Sequence, residues 1–289
     1  MSTWSVDETG PVGYDSTIYS GCAAHYRVGR PPYSADLEST LVAALELDGT
    51  GRLLDAGCGP GVIALRLAGQ FNDVVGLDPD ADMLVEASRH AATQGVNNIS
   101  WVCAVAEALP DAAPGPYRLV TFGQSFHWMD EDRVAEVVYD MLEPGGAMAM
   151  VVHTVEGRQQ PASPGPPPIP HDEVRSLVAK YLGSTGRAGQ GVAPVRTHRF
   201  EDVLVRTRFG SPSTVFAPGR RDLVRDIEGV LSGYLSMSYS APHLFGSRID
   251  EFADEVRALL RGGSPSGFFW DWPGDTEIVL ARRPGRTAG

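Results

Sequence analysis

Lysine is nearly missing from this chain: Lys180 stands alone beside 23 arginines. The skew reads as the mark of a G+C-rich bacterial genome and carries no chemistry by itself. Positive charge is also in short supply, with 24 basic against 36 acidic residues and a formal net charge of −12. Binding to nucleic acid draws much of its affinity from Lys and Arg displacing phosphate counterions, so a polyanionic partner is disfavoured and small acceptors are expected. Cysteine is scarce. Cys22, Cys58 and Cys103 form no metal-ligand spacing and cannot all pair, which excludes a disulfide framework, predicts no metal and suits a reducing cytoplasm. No stretch of about 18 apolar residues occurs, and the opening MSTWSVDETG has no basic region leading into an apolar run, so neither a membrane span nor a secretory leader is expected. No internal repeat is found.

What remains is an ordinary globular composition, 43% hydrophobic and 21% charged. With 289 residues the chain reads as one α/β domain carrying insertions. Leu37, Leu41, Val42 and Leu45 share a helical face, and a strand over 52–56 follows. Beyond a glycine turn, Val62 with Leu65 and Ile63 with Leu67 supply the spacings of a first crossover helix. Strands are predicted at 74–77, 99–103, 119–122 and 147–152. Helices lie between them: Asp80 caps the first, Gly95 ends it, and Val134, Val137, Val138, Met141 and Leu142 mark the other. Such alternation forces parallel pairing through right-handed crossovers, a doubly wound sheet.

The second half changes character. A proline-rich stretch, 160–170, reads as a surface loop, and the glycine-rich run 183–191 is expected to stay mobile. Helix is predicted over 172–182, strand over 203–209, and strand again over 277–281. Two helices are strongly periodic: Leu223, Ile227, Val230, Leu231 and Tyr234 mark one, and Ile249, Phe252, Val256, Leu259 and Leu260 the other.

The chemistry concentrates where strand one ends. LLDAGCGPG, residues 53–61, spaces Asp55, Gly57, Gly59 and Gly61 as D-x-G-x-G-x-G and opens a helix, the position at which doubly wound sheets bind ligands. Glycines let a ligand touch the backbone, and a helix N-terminus favours a carboxylate. Val62 occupies the place of a third dinucleotide glycine, which disfavours an NAD-dependent oxidoreductase. Asp78, 21 residues after Gly57, can accept both hydroxyls of a ribose.

On these residues the chain resembles the class I S-adenosylmethionine-dependent methyltransferases, in the small-molecule branch that includes trans-aconitate methyltransferase-like proteins. The resemblance spans about residues 20–153. It implies a Rossmann-like, doubly wound, seven-stranded and mostly parallel sheet with an antiparallel late strand and an inserted helical cover. Residues 1–289 then form one domain, with the cofactor-binding core at 33–153, cover elements at 1–32, 155–196 and 218–265, and late strands within 197–217 and 266–283. The cofactor implied is S-adenosylmethionine, leaving as S-adenosylhomocysteine. The Gly57–Gly61 backbone would cradle its methionine part, with Asp55 orienting the loop, Asp78 would hold its ribose and Met83 would lie near its adenine; Ala56, Cys58, Gly59 and Pro79 are cofactor-binding residues with them. AVAEALP, residues 104–110, is similar to the family's third-strand motif; Val105 stands where aspartate is common, so adenine recognition falls to the Ala106 and Glu107 amides. Within AHYRVGRPPY, residues 24–33, Tyr26 and Arg30 would bind the carboxylate, an arginine fork suiting it by geometry and charge.

TFGQSFHWMD, residues 121–130, is similar to the branch's F-H-W segment and puts Gln124 and Ser125 on the cofactor. His127 is either a proton acceptor or a brace for the pocket. Trp128, with Tyr234, Met237 and Tyr239 from the late aromatic and hydroxyl-rich stretch, are the substrate-side candidates. Together these expectations describe a cytoplasmic enzyme, monomer or homodimer, that methylates an O or N atom of a small molecule in natural product biosynthesis. The alternative is a protein that holds S-adenosylmethionine for a non-methylating reaction such as a cyclisation.

Overall fold

The computed structural model describes residue 15 and residues 17–154, 165–183, 187–189, 191–192 and 198–285. Its centre is a seven-stranded sheet. The first five strands are β1 (Arg52–Ala56), β2 (Asp73–Asp78), β3 (Ile99–Cys103), β4 (Tyr117–Gly123) and β5 (Leu142–Thr154), followed by β6 (Ser213–Ala217) and β7 (Asp275–Arg282). In space they run β3-β2-β1-β4-β5-β7-β6, with every pair among the first five parallel and β7 antiparallel to both neighbours. The expected doubly wound sheet with one antiparallel late strand is what forms. Chain order reverses direction between β1 and β4, so a crevice opens past their carboxyl ends.

Alternation along the strands divides two cores. Leu54, Val120, Phe122 and Met150 face Val134, Val138 and Met141 of helix α5 (Glu131–Met141). Leu53, Leu119, Ala149 and Val151 face the other way, toward helices α2 (Leu37–Leu45) and α3 (Val62–Leu67). Neighbouring residues of a strand point to opposite sides, so one continuous apolar run serves two helical layers. In α3 the Ile63 and Leu67 pair is buried, whereas Val62 is 37% exposed, so only the i, i+4 half of the expected pattern faces the sheet. Helix α4 (Ala81–Gln94) is capped by the Asp80 carboxylate on the Asp82 and Met83 amides and closed by Gly95 at φ +68°, as its sequence predicted.

A third core belongs to the cover. Helices α6 (His171–Leu182), α8 (Ile227–Leu235) and α10 (Ile249–Gly263) pack Val174, Tyr181, Val230, Leu231, Phe252 and Val256 around Phe245, whose ring stacks on Phe252 at 4.1 Å. Two expectations about this half are corrected. The strand predicted over 203–209 is the short helix α7 (Phe200–Leu204) and its following turn: Phe200, Val203 and Leu204 bury at helical spacing while Val205 stays exposed, and the Asp202 carboxylate caps the Arg199 amide at 2.8 Å. Leu223 lies outside α8, which starts only after Asp226, whose carboxylate accepts from the Gly229 amide at 2.7 Å. The proline-rich loop is described only from residue 165 onward and the glycine-rich run only at 183, 187–189 and 191; Pro168, in the described part of the former, bridges to Trp270.

Candidate functional site

Two cavities adjoin at the crevice. The smaller, about 80 Å³, is walled by Tyr19, Gly59, Asp78, Pro79, Met83, Ala106, Glu107, Ser125, Trp128 and Met129. The larger, about 430 Å³, is walled by Arg30, Tyr33, Asp55, Cys58 and His153 and opens past Arg27, Arg66 and Gln94. Tyr26, Gly57, Gly123 and Gln124 belong to both and mark where they meet.

The glycine turn is built to leave backbone bare. Gly57 sits at φ +67°, and a Cβ there would fall 2.5 Å from the Ser125 Cβ. Gly59, at φ +52°, has open space where a side chain would be. The turn is pinned from below: the Gly57 and Cys58 amides donate to the Leu77 carbonyl at 2.7 and 3.0 Å, and the Gly59 amide donates to Asp78 Oδ2 at 2.7 Å. Asp55, 1% exposed, accepts from the Thr121 hydroxyl at 2.7 Å and the Ala64 amide at 3.0 Å, tying β4 and α3 to the loop. Register explains the first contact, since Asp55 and Thr121 are direct partners across β1 and β4. Burial pushes the Asp55 carboxyl up to about 7 and that of Asp78 up to about 6. Asp78 Oδ1 accepts from the Asp80 amide at 2.9 Å, leaving lone pairs toward the smaller cavity. Capping of α4 falls to Asp80, as the sequence predicted.

At the end of β4, Gln124 takes φ +57°, one of two non-glycine residues in the left-handed region among those described, and its amide donates to the Val151 carbonyl at 3.0 Å. A left-handed side chain at a cavity junction is a cost that surrounding structure must hold in place. Ser125 does part of that, donating its hydroxyl to the Ala56 carbonyl at 2.7 Å. Ala56 thus supports the loop from beneath and lines neither cavity. Ala106 and Glu107 line the smaller cavity, and the Glu107 carboxylate accepts from the Asp130 amide at 3.0 Å.

Arg30 owes its aim to one glycine and the prolines that follow it. Helix α1 (Ala23–Gly29) crosses α8 so closely that a Cβ on Gly29 would lie 2.2 Å from the Ser232 backbone. Pro31 and Pro32 then force Arg30 out of helix, to ψ 135°. Its Nη2 donates to the Ser236 carbonyl at 2.8 Å, its guanidinium lies 4.9 Å from the Tyr26 ring centre, and its buried Nε has no partner. A guanidinium on a cavity wall with a buried donor still to satisfy is a receptor for an anion.

Several expectations are redistributed. His127 lines neither cavity; it sits on the turn Phe126–Trp128, its ring 5.1 Å from that of Trp128. Trp128 lines the smaller cavity, beside Asp78 and Met83, and not the acceptor side. Tyr234, Met237 and Tyr239 line neither: Tyr234 is buried in the cover's own core, with its hydroxyl 2.9 Å from His171 Nδ1. Cys58 is buried and its thiol is held well above its usual range by desolvation, so it acts as a small wall residue. Sequence reasoning missed Tyr33 and His153, whose rings stack at 4.8 Å on the wall of the larger cavity. His153 Nδ1 is buried without a partner, and desolvation pushes the imidazole down to about 4, so it is neutral at pH 7. The one hint was that Tyr33 is the last residue of the AHYRVGRPPY segment.

The geometry fits S-adenosylmethionine: a bare glycine cradle, a carboxylate on one side and, on the other, a guanidinium whose buried Nε has no partner. Comparison with known proteins agrees. Residues 53–146 match the methyltransferase domain family model. The ubiquinone biosynthesis O-methyltransferase of Pectobacterium carotovorum is 36% identical over 96 residues, covering 33% of this chain and 40% of that protein. An uncharacterized methyltransferase of Mycobacterium tuberculosis is 31% identical over 143 residues, covering 50% of this chain and 55% of that one. The chain thus spans between two fifths and just over half the length of these relatives. Among solved structures, that of the [4+2]-cyclase SpnF shares the fold, with a TM-score of 0.53 at 18% identity and 94% coverage of both chains. Residues 53–146 thus resemble the methyltransferase domain of the class I S-adenosylmethionine-dependent kind.

Proposed function

We propose that the protein transfers a methyl group from S-adenosylmethionine to an O or N atom of a small molecule, a secondary metabolite. The observation that carries this reading is the junction of the two cavities at Gly57 and Gln124, with Asp78 lining one and Arg30 the other. Asp78 would hold the ribose, the glycine turn and Arg30 the amino-acid tail, and Met83 with the Ala106–Glu107 backbone the adenine. The bound cofactor supplies an electrophilic methyl on a sulfonium. The protein's task is then alignment and exclusion of water, for which little acid–base machinery is obligatory. Tyr26 and Gln124 stand where the cavities meet and would position the two reactants. His127 is not carried forward as a proton acceptor, because its ring reaches neither cavity. The acidic net charge of −12 favours a small acceptor over a nucleic acid.

Incubation with methyl-labelled S-adenosylmethionine and a panel of small-molecule alcohols, phenols, amines and acids tests the reading. Label in an acceptor with equimolar release of S-adenosylhomocysteine supports it. Conversion of an acceptor without that release would instead mark a non-methylating reaction such as a cyclisation.

A further inference from the structure

The walls of the larger cavity invert the charge of the protein. Acidic residues outnumber basic ones 36 to 24 along the chain, yet the ionised side chains lining this cavity are Arg27, Arg30, Arg66 and a single carboxylate, Asp55. Asp55 is already committed to Thr121 and Ala64. Both histidines of the wall, His90 and His153, are pushed below their ordinary value by desolvation and add no charge. Among the described residues no carboxylate forms an ion pair with Arg27, Arg30 or Arg66 within 4.0 Å. Arg66 donates to the Ala35 carbonyl, and partial burial lowers its pKa; Glu38 and Asp36 oppose that shift from beyond ion-pair distance. Arg27 is exposed at the open end.

The cofactor does not relieve this excess. On the proposed reading Arg30 takes its carboxylate, while its sulfonium and ammonium bring two further positive charges into the crevice. Arg27 and Arg66 remain, both lining the larger cavity, which Asp78 does not reach. We propose that the methyl acceptor is a small anion, carrying a carboxylate or phosphate group that Arg27 and Arg66 hold at the mouth of the larger cavity. The guanidinium pair lies on α1 and α3, so the anionic group docks between the N-terminal strap and the crossover helix while the rest of the acceptor extends inward along Tyr33 and His153. The inference rests on the methyltransferase reading.

The test uses calorimetry on the full chain. S-adenosylhomocysteine is titrated first; failure to bind would overturn the methyltransferase reading itself. The saturated complex is then titrated with benzoate, inorganic phosphate and benzamide, the last a neutral molecule with the shape of benzoate. The inference expects benzoate or phosphate to bind, the tighter of the two telling carboxylate from phosphate, and benzamide to bind at least about tenfold more weakly. Arg27→Gln and Arg66→Gln together should weaken the anion by about tenfold or more while leaving S-adenosylhomocysteine affinity unchanged. Equal binding of benzoate and benzamide, undiminished anion affinity in the double variant, or intact S-adenosylhomocysteine binding with no anion bound would each overturn it.

Discussion

Replacing Asp78 with alanine separates ligand binding from folding. In the free protein the carboxylate accepts the Gly59 and Asp80 amides, and burial holds it near a pKa of about 6 against an ordinary 3.8. That shift of roughly two units means that keeping the group ionised above pH 7 costs about 3 kcal/mol. Alanine removes this penalty, which is already net of the two amide bonds, and strands the Gly59 and Asp80 amides at about 1–3 kcal/mol each, so stability should move by no more than about 3 kcal/mol. Binding has no such offset. Two charge-assisted bonds to a ribose diol are worth about 3–6 kcal/mol together, so the Kd for S-adenosylhomocysteine should rise roughly 10²- to 10⁴-fold. In the unsubstituted protein the affinity should be flat above about pH 7 and fall below about pH 6, as the carboxyl protonates and loses its acceptors. Calorimetry for binding and urea unfolding for stability, both across pH 5–8, give the two readouts. An unchanged Kd, or a loss of binding that merely follows unfolding, would refute the assignment of this carboxylate to the sugar.

Other perturbations test neighbouring steps. Arg30→Gln should weaken S-adenosylhomocysteine about 10- to 100-fold and leave adenosine, which has no carboxylate, unaffected; equal losses for both would sink the assignment. Asp55, raised from 3.8 to about 7 in the fold, makes the unfolded chain release its proton first, so between pH 4 and 7 stability falls as pH rises, by about 4 kcal/mol. Asp55→Asn, able to accept from Ala64 and donate to Thr121, should flatten that slope in urea unfolding at pH 5 and 8. Gly57→Ala meets Ser125 as well as a left-handed backbone and should cost about 2–4 kcal/mol, whereas Gly59→Ala, with open space around it, should cost only about 1 kcal/mol; thermal unfolding ranks the two. Tyr234→Phe should leave S-adenosylhomocysteine affinity unchanged and lower stability by about 1 kcal/mol, its hydroxyl serving His171 and no ligand.

Local chemistry made much of this legible. The glycine spacing from Asp55 to Gly61 dictates a left-handed turn wherever it occurs, and Asp80 and Gly95 bracket α4 by capping rules that need no tertiary context. The site residues that escaped are those that the topology assembles from distant segments: His153 arrives at the carboxyl end of β5 and Tyr33 on the loop before α2, and nothing in the sequence pairs the one with the other. Ambiguous periodicity explains the misreading at 203–209, where Val203 and Val205 alternate like a strand until burial shows that Val203 pairs with Phe200. Tyr234 misled for a related reason. An aromatic with a hydroxyl suits a binding pocket and a helical core equally, and only the packing of α6, α8 and α10 tells them apart.

The account stands most directly on a solved complex with S-adenosylhomocysteine. It predicts the adenosine in the smaller cavity, with both ribose hydroxyls at hydrogen-bonding distance from Asp78, about 2.5–3.0 Å, and the amino-acid carboxylate on Arg30. A nucleoside bound elsewhere, or Asp78 still engaged only with its own backbone while the ligand is present, would contradict it.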